Sequence, residues 1–100
     1  MPSEATKTAK IEAQRSLLEA AESEQAELED EHERARQDLA EATRQLQATS
    51  PGHPEYRERK QLRTDRWTAH NEAEGRVTEA RRRVESLRSE LEKLEQETSA

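Results

Sequence analysis

Apolar residues recur at alternating spacings of three and four along most of the chain, with polar and charged residues between them. This heptad pattern is typical of a left-handed coiled coil, in which positions a and d form the seam between two helices. In the first half the a positions are Ile11, Leu18, Gln25, His32, Leu39 and Leu46, and the d positions are Gln14, Ala21, Leu28, Ala35, Ala42 and Thr49. In the second half the a positions are Tyr56, Arg63, His70, Val77, Val84 and Leu91, and the d positions are Arg59, Arg66, Ala73, Ala80, Leu87 and Leu94.

The pattern is broken near the midpoint of the chain, in segment 49–54, which contains Pro51, Gly52 and Pro54. Proline cannot continue a helix, glycine suits a left-handed helix C-terminus, and Pro54 suits the first turn of a new helix. At the other end, Ser3 can act as N-cap. A short turn between two long helical patterns favours antiparallel neighbours. The sequence therefore predicts an all-α fold, one antiparallel two-helix coiled-coil hairpin over residues 1–100, with helices over about 3–48 and 55–97 and a turn over 49–54.

Folding the two halves together about the midpoint pairs each a position with a d position across the seam. The predicted layers are Ile11 with Leu94, Gln14 with Leu91, Leu18 with Leu87, Ala21 with Val84, and Leu28 with Val77. The predicted flanking ion pairs are Lys10–Glu97, Glu22–Arg81, Glu24–Arg83 and Glu31–Arg76, and the like-charge mismatches are Arg15–Arg88 and Glu29–Glu74. Such exposed pairs contribute little to the stability of the hairpin, and their main effect is on the register between the two helices.

Three arginines occupy seam positions near the turn, where Arg59, Arg63 and Arg66 oppose Leu46, Ala42 and Leu39. Their aliphatic stems can lie along the seam while the guanidinium groups reach water. The alternative is a stutter, a local change of phase that turns Leu62 and Ala69 inward and brings Trp67 closer to the edge of the seam. We favour the stutter.

Composition narrows the possible functions. Charged residues make up 40% of the chain and hydrophobic residues 29%, with two aromatic residues in total and no cysteine. A large globular core cannot form from this stock. Disorder is disfavoured because strong helix formers dominate. We find no phosphate-binding loop, nucleophile arrangement or metal triad, so we predict neither an enzyme nor a cofactor. The chain lacks a signal-peptide pattern and an apolar run of membrane-spanning length, so we expect a cytoplasmic or assembly-associated protein that does not contact membranes.

The turn half carries the residues best suited to bind a partner. Aromatic and arginine side chains dominate interface hot spots, and this set comprises Tyr56, Arg59, Leu62, Arg63, Arg66 and Trp67. The alternative for Trp67 is a structural one, in which it covers a weak part of the seam or makes a cation–π contact with Arg36. Acidic residues lie between the basic residues of this segment, and the net charge of the chain is −6. These features favour a protein partner over nucleic acid.

An acidic run provides an alternative function. It comprises Glu22, Glu24, Glu27, Glu29, Asp30, Glu31 and Glu33 and contains no base. The simplest interpretation is a solvated helix face partly neutralised by arginines of the second helix. The functional alternative is an inhibitor that imitates nucleic acid phosphates and blocks a nucleic-acid-binding protein.

Two histidines and one glycine interrupt the apolar pattern in mid-chain. His32 and His70 fall in adjacent seam layers, either as tolerated polar positions or as a pH-sensitive weak point. A metal site with Glu29 or Glu74 as third ligand has no supporting ligand-spacing motif, so we predict no metal. Gly75 costs about 1 kcal/mol relative to alanine in a helix. Its role is open between a bend, close approach of a partner and tolerance.

A minor apolar strip, formed by Ala13, Leu17 and Ala20, lies beside the main seam. Because two helices bury little apolar area, we expect self-association into a four-helix bundle or packing within a larger assembly. The predicted function is that of a non-catalytic structural or adaptor protein, such as a subunit of a phage or secretion assembly. A third hypothesis is a small regulator or chaperone that binds a partner helix.

Overall fold

Two long antiparallel helices form a hairpin in the computed structural model, which describes residues 4–99. Helix α1 spans Glu4–Gln47 and helix α2 spans Tyr56–Ser99, each with 44 residues. The predicted fold class is confirmed, and the helix ends lie close to the predicted ones. The predicted N-cap, Ser3, lies outside the described residues. Over residues 4–99, neither helix is apolar enough along its length to cross a lipid bilayer.

The hairpin divides into two compact units, and each contains a segment of both helices. The terminal unit comprises the described parts of Met1–Glu27 and Thr78–Ala100, and the turn unit comprises Leu28–Val77.

Along the seam of the terminal unit, small side chains are buried and large ones are half-buried. Ala21, Ala80 and Val84 are the buried apolar residues, and Leu18 and Leu87 remain half-buried beside them. Two helices cannot enclose a leucine on all sides, whereas alanine and valine at the centre of the seam fit between closely spaced backbones. The heptad assignment of this unit therefore agrees with its burial.

Polar side chains also cross the seam of the terminal unit. Gln14, at a d position, donates from Nε2 to the backbone oxygen of Leu87 at 3.3 Å and to Glu90 Oε2 at 3.2 Å. The side chain of a polar seam residue thereby obtains partners on the facing helix. Such bonds favour one register because a shifted register would leave the amide without them.

Ion pairs between α1 and α2 flank the seam of the terminal unit. Glu24 pairs with Arg83 at 3.3 Å, as predicted. The predicted partner of Glu22 was wrong, because the glutamate pairs with Arg88 at 3.3 Å. The predicted Arg15–Arg88 mismatch is also avoided, since Arg15 reaches Glu95 at 3.4 Å. Long side chains select among several partners within reach, so heptad position alone does not decide the pairing.

Two further predicted pairs are absent. Within residues 4–99, neither Lys10 and Glu97 nor Glu31 and Arg76 approach within ion-pair distance. An exposed pair gains little over two solvated charges. Its absence therefore costs the hairpin little.

In the turn unit, Ala42, Ala73 and Val77 are the buried apolar residues, and Leu28, Leu39 and Leu46 are half-buried. The turn itself is held by capping bonds. The backbone N–H of Thr49 donates to Leu46 O at 3.1 Å, and its hydroxyl donates to Gln45 O at 2.6 Å. Just before α2, His53 Nδ1 accepts the N–H of Glu55 at 3.1 Å, which holds the turn that leads into the helix.

Pro54 lies in the turn, two residues before α2 begins at Tyr56, and not in the first turn of the helix as predicted. The expected left-handed glycine at the end of α1 was wrong, because Gly52 has no positive φ. The two bonds from Thr49 satisfy the carbonyls of Gln45 and Leu46 near the end of α1 instead. A Schellman-type glycine is therefore unnecessary.

Candidate functional site

Arg59 fastens the turn. Its side chain is half-buried, and its guanidinium donates to Thr49 Oγ1 and to Glu55 Oε2, the latter at 2.7 Å. Thr49 is the buried polar residue of this region. Among the predicted partner-binding residues, Arg59 is thus engaged within the turn unit. The expected arrangement, with the guanidinium group in water, does not hold for Arg59, because this group binds Thr49 and Glu55.

The next ten residues of α2, 60–69, are all exposed. The predicted stutter is wrong, because both Leu62 and Ala69 belong to this exposed stretch. Arg63 and Arg66, the seam positions of the unshifted heptad pattern, are exposed too. Neither arrangement therefore gives a buried seam here. After Arg59, the first residue of α2 that is even half-buried is therefore His70.

Helix α1 nevertheless buries one residue opposite this stretch. Ala42 is 2% exposed. A shallow groove contains it together with Leu62, Arg66 and the α1 side chains Asp38, Glu41 and Gln45. Arg66 lies 4.0 Å from Asp38 across this groove. Leu62 and Arg66 line this groove beside Ala42, and both remain exposed.

Trp67 lies away from that groove. Positions 62 and 67 are separated by about 140° around a helix at ~100° per residue, so Leu62 and Trp67 lie on different flanks of α2. Trp67 is 52% exposed and Leu62 is 38% exposed. The two residues were predicted to belong to one partner-binding set, but they lie on separate surfaces of α2.

The predicted cation–π contact of Trp67 is absent among the described residues. The Arg36 guanidinium turns instead to Glu33 on its own helix, with bonds of 2.6 and 2.9 Å. This hydrogen bond holds the pKa of Glu33 down at about 2, against an ordinary value of 4.5. A carboxylate one helical turn away is the stronger partner for a guanidinium.

Trp67 shares its face of α2 with Tyr56 and Arg63. The three residues lie seven and four positions apart, which places them along one stripe of the helix. Tyr56 is half-buried and, with Lys60, lines a shallow depression beside Pro54. We call Tyr56, Lys60, Arg63 and Trp67 the aromatic–basic stripe.

The charges around this stripe are largely unneutralised. Within residues 4–99, no ion pair involves Arg57, Lys60 or Arg63. The stripe therefore combines an exposed indole with available positive charge.

The acidic run of α1 is only partly free. In the terminal unit, Glu22 and Glu24 are paired with arginines of α2. In the turn unit, Glu33 is paired with Arg36. Across the described part of the chain, Asp30 and Glu31 make no ion pair. Three of the predicted phosphate-imitating groups are thus already neutralised by neighbours.

His32 and His70 meet in the turn unit, as their layers predicted. Their ring centroids lie 4.8 Å apart, and the ring planes are inclined by 35°. His32 Nε2 is buried and lacks a hydrogen-bond partner among the described residues. A buried polar atom without a partner costs about 1–3 kcal/mol. One donor atom from each histidine and one from the exposed Glu74 lie within 4.8 Å of one another.

The sequence contained a signal for this cluster. His70 and Glu74 are four residues apart on one helix face, and folding about the midpoint brings His32 to the neighbouring layer. The preference between Glu29 and Glu74 could not be read from spacing, because both lie near the same layer. The hydrogen bond from Arg59 to Thr49 was also missed, because Thr49 lies on the other side of the turn.

No protein-family model matches the chain, and neither a curated protein nor a solved structure shows significant similarity to it. The residues and their geometry alone must therefore support any function.

Proposed function

We propose that the chain is a non-catalytic helical adaptor or structural subunit that binds a protein partner through the aromatic–basic stripe of α2. The observation that carries the proposal is the exposure of Trp67, at 52%, within ten consecutive exposed residues of a coiled-coil helix. A helix in a hairpin normally turns an apolar face to its neighbour. Apart from Leu62 and Arg66, which line the groove with Ala42, this segment covers no part of α1 and buries no side chain, so a partner would supply the missing cover.

The chemistry of the stripe specifies the partner. Trp67 offers a large, rigid apolar surface, and Arg63 and Lys60 flank it with charge that no carboxylate among residues 4–99 neutralises. Tryptophan, tyrosine and arginine are the residues that most often carry binding energy at protein interfaces. The complementary surface is an apolar pocket with an acidic rim.

Self-association is a further part of the proposal. In the terminal unit, Leu17 is 56% exposed, and Ala13 and Ala20 beside it are also exposed. This strip would bury apolar area in a dimer or larger assembly, which a two-helix hairpin cannot bury alone.

The acidic-inhibitor alternative has less support. An imitator of phosphates needs carboxylates that are free to meet a basic groove, whereas Glu22, Glu24 and Glu33 have arginine partners. Asp30 and Glu31 are the appropriate positions to test it.

The experiment is affinity capture from the native host lysate, followed by titration of the captured protein against purified variants. Trp67→Ala should weaken binding by at least ~2 kcal/mol, about 30-fold in Kd, if Trp67 is a hot spot. Because the chain has one Trp, its fluorescence reports directly on burial of this site. A K60E/R63E variant should weaken binding further as salt falls, since it reverses the charge of the stripe.

Leu62→Ala is the matched control, because Leu62 is apolar and exposed in the same stretch, yet lies on another flank of α2 from Trp67. It should capture the same protein as the unaltered chain. Unchanged capture by Trp67→Ala would contradict the proposal. Loss of capture by a D30K/E31K variant alone would favour the acidic inhibitor instead.

A further inference from the structure

The geometry of the turn unit points to a metal site. We infer that His32, His70 and Glu74 bind a late first-row divalent cation, for which Zn²⁺ is the probe. The inference is independent of the aromatic–basic stripe, because no member of the cluster belongs to it.

The three donor atoms are close enough to bind one ion. They lie within 4.8 Å of one another. Donors bound at ~2.0–2.1 Å to a tetrahedral Zn²⁺ are separated by about 3.3 Å, so each pair needs to close by at most ~1.5 Å. Glu74 is exposed, and its side-chain torsions can bring its carboxylate toward the two imidazoles. The two imidazole rings can turn about their own side-chain torsions.

His32 provides the second, independent observation. Its Nε2 atom is shielded from solvent and has no hydrogen-bond partner among the described residues. An imidazole nitrogen that carries no proton and accepts no hydrogen bond has a lone pair available for a metal ion. Coordination would give this atom the partner that the protein does not supply.

The ligands come from both helices. His70 and Glu74 lie four residues apart on α2, so they share one face of the helix, and His32 comes from α1. A cation held by all three would link α1 to α2 directly after the exposed stretch 60–69. Because the site requires paired helices, metal binding would stabilise the hairpin.

The ligand types decide the class of ion. Two imidazoles and one carboxylate suit Zn²⁺ and its neighbours, whereas Ca²⁺ and Mg²⁺ require oxygen ligands. With three protein ligands, a tetrahedral ion would retain one position for water.

The test uses the full chain, stripped of metal with a chelator that is then removed. Titration calorimetry with Zn²⁺ should show one ion per chain, and Co²⁺ should give the visible absorption of a low-coordinate site. His32→Gln, His70→Gln and Glu74→Gln should each weaken binding by about 100-fold or more, since even outer-shell substitutions cost 10–100-fold.

Two matched controls should bind Zn²⁺ as the unaltered chain does. His53→Asn changes the remaining histidine while retaining a side-chain acceptor for the N–H of Glu55 in the turn. Glu72→Gln changes an exposed carboxylate of α2 outside the cluster. If a histidine variant loses helicity in circular dichroism, Glu74→Gln carries the test, because its side chain is exposed.

Three results would overturn the inference. The first is equal Zn²⁺ affinity for the unaltered chain and Glu74→Gln. The second is loss of binding with His53→Asn, which would move the site to the turn. The third is a Zn²⁺-dependent rise in sedimenting mass, which would place the ion between copies of the chain.

Discussion

Gly75 should be replaceable by alanine with a gain in stability. It lies inside α2, where glycine is unfavourable because it loses the most backbone freedom on folding. Its φ is not positive, so no left-handed conformation requires it. Apart from its two chain neighbours and the nearby backbone of α2, a Cβ at this position would meet no atom within 4 Å. Nothing within the described chain therefore demands a glycine.

The expected gain follows from these facts. Glycine is less favourable than alanine in a helix interior by about 0.8–1.0 kcal/mol. No clash reduces this value, and the open surroundings add little burial. We therefore expect Gly75→Ala to raise the free energy of unfolding by about 1 kcal/mol, or Tm by roughly 4–8 °C for a domain of this size. Gly75→Ser should gain about half as much, because serine lies between the two in helix propensity.

Urea denaturation followed by far-ultraviolet circular dichroism measures this gain. It should be repeated at several protein concentrations, since association would add to apparent stability. Ala26→Gly is the matched control, because Ala26 is exposed inside α1 and should lose about 1 kcal/mol.

If Ala26→Gly behaves as expected while Gly75→Ala is neutral or destabilising, the reasoning fails. Some group would then approach the backbone at Gly75 in solution. A stable Gly75→Ala variant that no longer captures the partner would locate that approach at the interface.

The remaining predictions concern the seam, a local ion pair and self-association. Val77→Ala should lower the free energy of unfolding by about 1–2 kcal/mol, because two methyl groups leave a side chain that is 3% exposed; a loss under ~0.5 kcal/mol in the same urea titration would contradict the burial. Arg36→Gln should raise the pKa of Glu33 from about 2 toward 4.5, as carboxyl NMR titration would show. Since the folded pKa is the lower one, this pair stabilises the fold above pH 4.5, and its contribution is lost as pH falls toward 2. Leu17→Glu should shift sedimentation toward monomer, and an unchanged mass distribution would exclude the strip as the contact.

The pattern of residues along the chain predicted the fold because helix breakers and heptad spacing act over a few neighbouring residues. Pro51 and Pro54 determine where helices cannot continue, and heptad spacing determines which face of each helix is apolar. These constraints identified Val77 and Val84 as seam residues and brought His32 to His70. They could not assign Glu22 to Arg88, because several long side chains lie within reach and exposed pairs differ by tenths of a kcal/mol.

The candidate sites were less predictable from pattern. Leu62 and Trp67 were both identified, but only the helix geometry places them on separate flanks. The stutter failed because Leu62 and Ala69 remain exposed, as do Arg63 and Arg66 at the unshifted heptad positions. Arg59 was assigned to a partner, yet its reach across the turn to Thr49 makes it a clamp.

The sequence by itself determined the two helices, their turn, their antiparallel pairing and most of the seam, because periodicity and helix breakers act over a few residues. Tertiary structure alone decided that Trp67 stays in solvent, that Arg59 binds Thr49, and that the Nε2 atom of His32 is buried without a partner. These outcomes depend on rotamers and on the distance between two particular helices, which no spacing along one chain encodes.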